Sequence, residues 1–349
     1  MEAVSTKINL GKEIHDFESG GVTENIPLKN FKYNLLISGG ARNERTASLS
    51  HILNQFYADF PDIGVLLIQL GSNKDTYLYH LDRVYEYGDP DLNIPYSTGQ
   101  QFNMLIRERF MRYLNAIFGF HYEMKFVIAN LSRHYKTGGL PSSIVDFLED
   151  LKMFLIKHPY SEEFTESNVR SIEKVVEIFQ ENPILERTLW IPLEVPEWLN
   201  LWSKGGKICI NLSECSIYQQ KLLVFLIAQS INNYIDSNNS PSPTGIVVIE
   251  DAENVLKRPP HDEYSKNYKI NREYYQKITE EAYILTKEQI KEVFGDDNYL
   301  MNVQLEQVCN DLIQDDFRYR NISLITVCED PSKVYSSISS HSQIKLQVG

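Results

Sequence analysis

Four cysteines in 349 residues are too few for a disulfide scaffold. Cys209, Cys215, Cys309 and Cys328 form no CxxC pair, which fits reduced thiols better than a metal or redox site. Long apolar runs are also missing. The longest, Leu222–Ala228, falls far short of the ~20 residues that cross a bilayer. The opening MEAVSTKINL has no apolar core of the kind a secretory leader carries, so a cytoplasmic location and no membrane partner are expected. Positive charge is scarce, with 34 Lys+Arg against 47 Asp+Glu and a net charge of −13. That balance excludes a chain that coats nucleic acid through its overall field, while leaving room for a local basic pore. There is no internal repeat and no Ser-His-Asp or Cys-His set at usable spacing. His121 and His134 lack partners at metal spacing, so no metal cluster is expected. What remains is globular: 42% hydrophobic and 23% charged residues, enough for a sizeable core in one large or two modest domains.

Buried-strand patterns alternate with helical ones. Residues 1–26 are polar apart from a weak strand at Lys7–Leu10, read as an edge strand and a connection. Tyr33–Ser38 is a short apolar run ending in Gly39-Gly40. Thr46–Phe60 follows, with Leu49, Ile52, Leu53 and Phe56 at helical spacing. Gly64–Leu70 is a second apolar strand, stopped by Gly71. Two apolar strands about one helix make a βαβ unit, which implies a parallel sheet. Residues 97–186 carry helical periodicity, with Ile144, Leu148, Leu151 and Leu155 on one face and a further helix at Asn168–Phe179. Strand patterns return at Lys207–Leu212, Gly245–Asp251, Ile322–Val327 and Gln343–Val348. Between them lie an apolar helix (Gln219–Ile235), a charged, tyrosine-rich excursion (257–300), a helix (Leu305–Phe317) and a short helix (Pro331–Ser340). The expected fold is α/β, with helices on both faces of a mostly parallel sheet. Its expected parts are residues 1–26 (N-terminal edge strand and connection), 27–96 (first part of the core), 97–186 (helical insertion) and 187–349 (second part of the core). Ligands of such sheets sit at the carboxyl ends of the strands, here Gly39-Gly40, Glu250-Asp251 and Cys328-Glu329.

The first of these ends reads Gly39-Gly40-Ala41-Arg42-Asn43-Glu44-Arg45-Thr46. It approaches the phosphate-binding pattern GxxxxGK[ST] between a strand and a helix. In that pattern backbone N–H groups wrap the phosphates, a lysine reaches the β- and γ-phosphates, and a hydroxyl holds Mg²⁺. Gly39 and Thr46 fit, but Arg45 stands at the lysine and Glu44 at the second glycine. A polar strand-to-helix turn without a ligand reads equally well. The second end, Ile246-Val247-Val248-Ile249-Glu250-Asp251, is four apolar residues followed by acids. One acid suits a Mg²⁺ shell and the other the orienting of water; the alternative is a solvated strand terminus. Arg107, Arg109 and Arg112, and Arg133, His134 and Lys136, are two basic clusters that could touch phosphate or form solvated surfaces. Tyr274 and Tyr275 lie in the excursion, as part of a contact surface or of a partly folded segment.

In their order these pieces resemble the HerA/FtsK branch of P-loop motor ATPases, and HerA-like proteins in particular. The resemblance spans nearly all of residues 7–349. Ile26–Gly40 looks like the lead-in to Walker A, and Val65–Gly71 like the second strand. Val84–Asp89 with Leu92–Pro95 looks like the hairpin before the helical insertion. Ile208–Ser213 looks like the strand before the long helix, Val247–Asn254 like the Walker B run, and Arg318–Ser332 like the arginine-containing stretch and sensor strand. The resemblance implies a RecA-like P-loop NTPase core with a mostly parallel central sheet and a helical insertion. It implies a ring of subunits, usually six, with ATP and Mg²⁺ between them, DNA in the pore and a nuclease partner of NurA-like kind. It places Gly39, Gly40, Asn43, Glu44, Arg45, Thr46 and Ala47 at the nucleotide, and Thr46 and Glu250 at Mg²⁺ should nucleotide bind. It gives catalysis to Glu250, Asp251, Arg318 and Glu329. Arg318 would be an arginine finger, a group worth ~10³–10⁵ in rate, or else a surface arginine at a helix end. The family's separate N-terminal β-barrel and C-terminal extension are not expected in this chain.

The departures matter as much. Gln69 and Ser72 stand where the family carries acids, Glu253 where it carries a histidine, and Glu329 where it carries a sensor glutamine. Glu44 brings a carboxylate to the anion site. One such repulsion at ~4 Å costs about 4 kcal/mol at an effective dielectric of ~20, on the order of a thousandfold in affinity. Arg45 keeps the charge of a lysine but presents a planar fork. The expectation is therefore a ring-forming pseudo-ATPase of a DNA-processing or defence complex, with hydrolysis weak or lost. It would assemble as a homo-oligomeric, hexamer-like ring or with an active paralogue. The competing expectations are an active ATP-dependent DNA translocase or helicase with a nuclease partner, and an adaptor that uses the core only to bind protein.

Overall fold

The structure is a computed structural model describing residues 7–9, 25–27, 34–72, 79–95, 124, 127, 130–131, 143–159, 161–186, 195–238, 245–256, 317–320, 322–334 and 336–348. The 257–300 excursion, the helix expected at Leu305–Phe317 apart from Phe317, both basic clusters, His121 and Cys309 lie outside them.

Strands β1 (Lys7–Asn9) and β2 (Asn25–Pro27) pair antiparallel as a separate ribbon, with Ile8 opposite Ile26. The N-terminal strand therefore pairs with its own neighbour and not with the edge of the main sheet. Seven strands form that sheet: β3 (Asn34–Gly39), β4 (Gly64–Gln69), β5 (Arg83–Tyr85), β6 (Lys207–Asn211), β7 (Gly245–Glu250), β8 (Ile322–Cys328) and β9 (Ser342–Val348). Their order is β5-β6-β4-β7-β8-β3-β9, and every neighbouring pair is parallel. The stretch expected as a hairpin contributes β5, a parallel edge strand beside β6. All seven carboxyl ends thus share one edge. Strand β8 lies between β3 and β7, so the Gly39-Gly40 turn and the Glu250-Asp251 pair flank the end of β8.

The central strands are apolar along their whole length because both faces are covered. Every residue of β4, β7 and β8 is buried. On one face Leu35, Ile37, Val65, Leu67, Val248 and Ile325 pack with helix α1 (Arg42–Asp59) through Leu49, Ile52, Leu53 and Phe56. The alternate residues Leu36, Leu66, Ile68, Val247, Ile249 and Leu324 face a second helical layer. That layer holds α2 (Ile144–Lys157), α3 (Glu162–Glu181), α4 (Pro183–Glu186), α5 (Glu197–Ser203) and α6 (Ile217–Asn238). Ser143 starts α2 with a full capping box, its Oγ accepting the Asp146 N–H at 3.0 Å while Asp146 accepts the Ser143 N–H at 3.1 Å. Helices α2 and α3 fall in the stretch read as an insertion, yet their apolar residues belong to the same hydrophobic cluster as the sheet. Trp202 of α5 is buried where β4 and β7 begin, and donates from Nε1 to the Ile246 carbonyl at 3.3 Å. Gly64 and Gly245 make room for it, since a Cβ on either would strike Trp202. Two short helices, α7 (Phe317–Tyr319) and α8 (Ser336–His341), precede β8 and β9. Among the described residues no helix is long and apolar enough to cross a membrane.

Candidate functional site

The chain leaves β3 through two glycines in the left-handed region, Gly39 at φ 86° and Gly40 at φ 57°. Glycine is required twice over: for that conformation, and because a Cβ would meet the Val348 carbonyl oxygen of β9 at 2.6 Å from Gly39 and 2.9 Å from Gly40. The Gly39 N–H donates to the Glu329 carbonyl at 2.9 Å, which fastens the turn to the end of β8.

Helix α1 then starts at Arg42, four residues ahead of the expected Thr46, so Asn43, Glu44, Arg45 and Thr46 are helical. Glu44 explains the early start. Its Oε2 accepts the Ala41 N–H at 2.7 Å. This is half a capping box, since alanine has no oxygen to return the bond, and it sets a negative charge at the positive end of the helix. Arg45 is only 6% exposed. It turns back and donates to the carbonyls of Gly39 at 3.1 Å and Gly40 at 2.8 Å. Thr46 is buried one position on, while Asn43 and Ala47 are exposed.

The two acids ending β7 diverge. Glu250 is buried and accepts the Tyr79 hydroxyl proton at Oε1, 2.6 Å away. Asp251 takes a left-handed conformation, φ 54°, and pairs with the Arg42 guanidinium. A second Arg42 nitrogen donates to the Ser72 carbonyl at 2.6 Å. Glu253, in the 3₁₀ turn Ala252–Asn254, accepts the Glu329 N–H at 3.1 Å. The Glu329 carboxylate receives Lys333 Nζ at 3.0 Å. That hydrogen bond and the lysine's charge hold Glu329 below the usual carboxylate range, with Arg45 adding a smaller pull the same way. Gln69 is buried and donates to the Gly71 carbonyl at 2.9 Å. Arg318 lies on α7, and its neighbour Arg320 forks onto Asp236 of α6 at 2.9 and 2.6 Å.

Arg45 therefore holds Gly39 and Gly40, Glu44 caps the same turn at Ala41, and Glu329 links Gly39 to Glu253 at the end of β8. Three participants escaped the sequence reading: Arg42, Tyr79 and Lys333. Arg42 carried a signal, because a cation in the first turn of a helix opposes the helix dipole and calls for an anion beside it. Lys333 carried another in its i,i+4 spacing from Glu329. Tyr79 carried none. Cys209, Cys215 and Cys328 are buried. Burial pushes the Cys215 thiol up to about 11 and the Cys328 thiol to about 12, far from a nucleophilic thiolate. Among the described residues no group of three or more His, Cys, Asp or Glu could hold a metal ion.

No protein-family model matches the chain, and no curated protein matches it. Solved structures do. VirB4 of Thermoanaerobacter pseudethanolicus aligns with a TM-score of 0.53 and 12% identity over 99% of this chain and 84% of its own. The plasmid coupling protein TrwB in complex with ADP and Mg²⁺ aligns with a TM-score of 0.48 and 12% identity, over 96% of this chain and 75% of its own. The bacterial conjugative coupling protein TrwBΔN70 with sulphate aligns with a TM-score of 0.48 and 12% identity, over 97% and 76%. The likeness to VirB4 shows the fold: an α/β, RecA-like P-loop NTPase fold on a parallel seven-stranded sheet.

Proposed function

We propose that this chain is a ring-forming subunit on the RecA-like P-loop NTPase fold, a HerA-like pseudo-ATPase of a DNA-processing or defence complex. The observation that carries the reading is the Glu44 carboxylate on the Ala41 N–H, where a phosphate cradle would offer its own N–H groups. A polyphosphate at this turn would meet a carboxylate in place. Arg45, at the lysine position, already donates to the Gly39 and Gly40 carbonyls. The two residues assigned to Mg²⁺ suit it no better: Thr46 is 1% exposed, and Glu250 accepts the Tyr79 hydroxyl. Among the described residues, Glu44, Glu250, Asp251, Glu253 and Glu329 lie at this edge against Arg42, Arg45 and Lys333, a negative balance unfavourable to a polyphosphate. The residues present do not fit Mg·ATP, so the fold serves assembly. We infer a cytoplasmic, hexamer-like ring or a mixed ring with an active paralogue, with DNA in the pore and a nuclease as partner.

The test is ATP binding and hydrolysis by the purified protein, with and without DNA, with its mass in solution recorded alongside. The expected result is no DNA-stimulated turnover and a multimeric mass, alone or with a paralogue. Tight Mg·ATP binding with DNA-stimulated turnover that Asp251→Ala abolishes would establish the translocase reading instead. A monomer with affinity for neither nucleotide nor DNA would leave the adaptor.

A further inference from the structure

Arg42, Asp251 and Ser72 belong to three different elements: the start of α1, the end of β7 and the loop after β4. One guanidinium joins them, pairing with the Asp251 carboxylate and donating to the Ser72 carbonyl. Two further observations bear on this junction. Asp251 is held at φ 54°, a left-handed conformation that is uncommon outside glycine and that Asp adopts more readily than most residues. Gly71 lies directly beneath: a Cβ added there would collide with both the Asp251 carboxylate and the Arg42 guanidinium. The space over Gly71 is thus shaped to the pair. The Asp251 side chain is 14% exposed and that of Arg42 41%, so the pair is partly shielded from water. Arg42 also sits in the first turn of a helix, where the dipole disfavours a cation.

We propose that Arg42, Asp251 and the Ser72 carbonyl form a built-in cation bridge, seated over Gly71, that locks the ends of β4 and β7 to the start of α1 without a metal ion. The inference rests on the nucleotide-independent reading above and deepens it. In a nucleotide-dependent site, a bound metal joins the P-loop helix to the acid-bearing strand and leaves with its ligand. Here the cation belongs to the chain itself, so the join does not depend on a ligand that comes and goes. Arg42 is a positioning residue: it fixes Asp251 and the strand ends, and carries out no chemistry.

The experiment is a mutant cycle in the full chain. Arg42→Ala, Asp251→Asn, Gly71→Ala and the double Arg42→Ala/Asp251→Asn are compared by thermal midpoint and by amide exchange. Each single change is expected to lower the midpoint and to speed exchange at residues 71–72 and 251–253 together. The double change is expected to lower the midpoint no further than the worse single change, because residues acting as one unit are not additive. Gly71→Ala is expected to mimic Arg42→Ala although it removes neither charge, and Arg42→Lys to lose part of the effect, since an ammonium lacks the fork. Additive losses, or exchange that speeds in one segment alone, overturn the bridge. Should Arg42→Ala fail to fold, Arg42→Lys and Gly71→Ala carry the comparison under the same two criteria. A wild-type midpoint that rises with millimolar Mg·ATP sinks the nucleotide-independent reading itself. A wild type indifferent to Mg·ATP with additive losses overturns only the bridge.

Discussion

Glu329 and Lys333 close a local ion pair at the end of β8, four residues apart. The Glu329 carboxylate therefore has its own counter-charge. The sign of its pH dependence follows from the lowered pKa of Glu329. A carboxylate held below its unfolded value stabilises the fold above that value, and the contribution is lost as the pH falls through the folded value. Lys333→Ala is expected to return the Glu329 carboxyl towards its ordinary range, which a side-chain carboxyl titration by NMR would follow. An unchanged titration would mean that Lys333 does not set it. At this scale the acids closing β7 were legible in the sequence, whereas which residues they pair with was not. Glu250 and Asp251 announce themselves as acids closing an apolar run. Their partners lie 171 residues away at Tyr79 and 209 residues away at Arg42. Sheet order decides such pairings, and no local pattern of residues states it.

Helices and strands were the most readable level, because periodicity reports burial directly. The faces of α1 and α2 match their apolar spacing, and β4, β7 and β8 are buried along their length. The start of α1 was misplaced by four residues, for a reason the pattern does not contain. The GxxxxGK[ST] template ends its loop where the lysine stands, whereas the Glu44 cap lets the helix begin at Arg42. Trp202 tests how the elements interlock, since it fits only because β4 and β7 both begin with glycine. Trp202→Ala should cost about 3–5 kcal/mol by leaving a cavity. Gly245→Ala should cost about 1–3 kcal/mol by overpacking, and should shift tryptophan fluorescence as the indole is displaced. Urea titrations read both effects, and a Gly245→Ala protein as stable as wild type, with unchanged emission, would contradict this packing.

The described residues build one seven-stranded sheet with α1 on one face and α2 to α6 on the other, beside a separate two-stranded ribbon. An α/β fold was legible in the alternation of strand and helix patterns, but two features of its order were not. The N-terminal strand forms a separate ribbon, and the β5 stretch closes the sheet edge opposite β9. Helices α2 and α3 share a single apolar cluster with the sheet, which argues against an independently folding insertion. In a Trp190→Phe background, far-ultraviolet dichroism and the fluorescence of Trp198 and Trp202 should therefore report one coincident unfolding transition. An early loss of helix signal with the tryptophans still buried would mark the insertion as a unit of its own. The strand order carries a consequence for how the chain is made. Strand β3 emerges early, but both of its sheet neighbours, β8 and β9, are among the last segments described. At ~5–20 residues per second of synthesis, β3 waits on the order of tens of seconds with its apolar run unpaired. Throughout that interval the nascent chain presents an open strand edge of the kind that invites wrong pairing, so a chaperone that shields residues 34–39 until β8 and β9 have been made should raise the yield of folded protein.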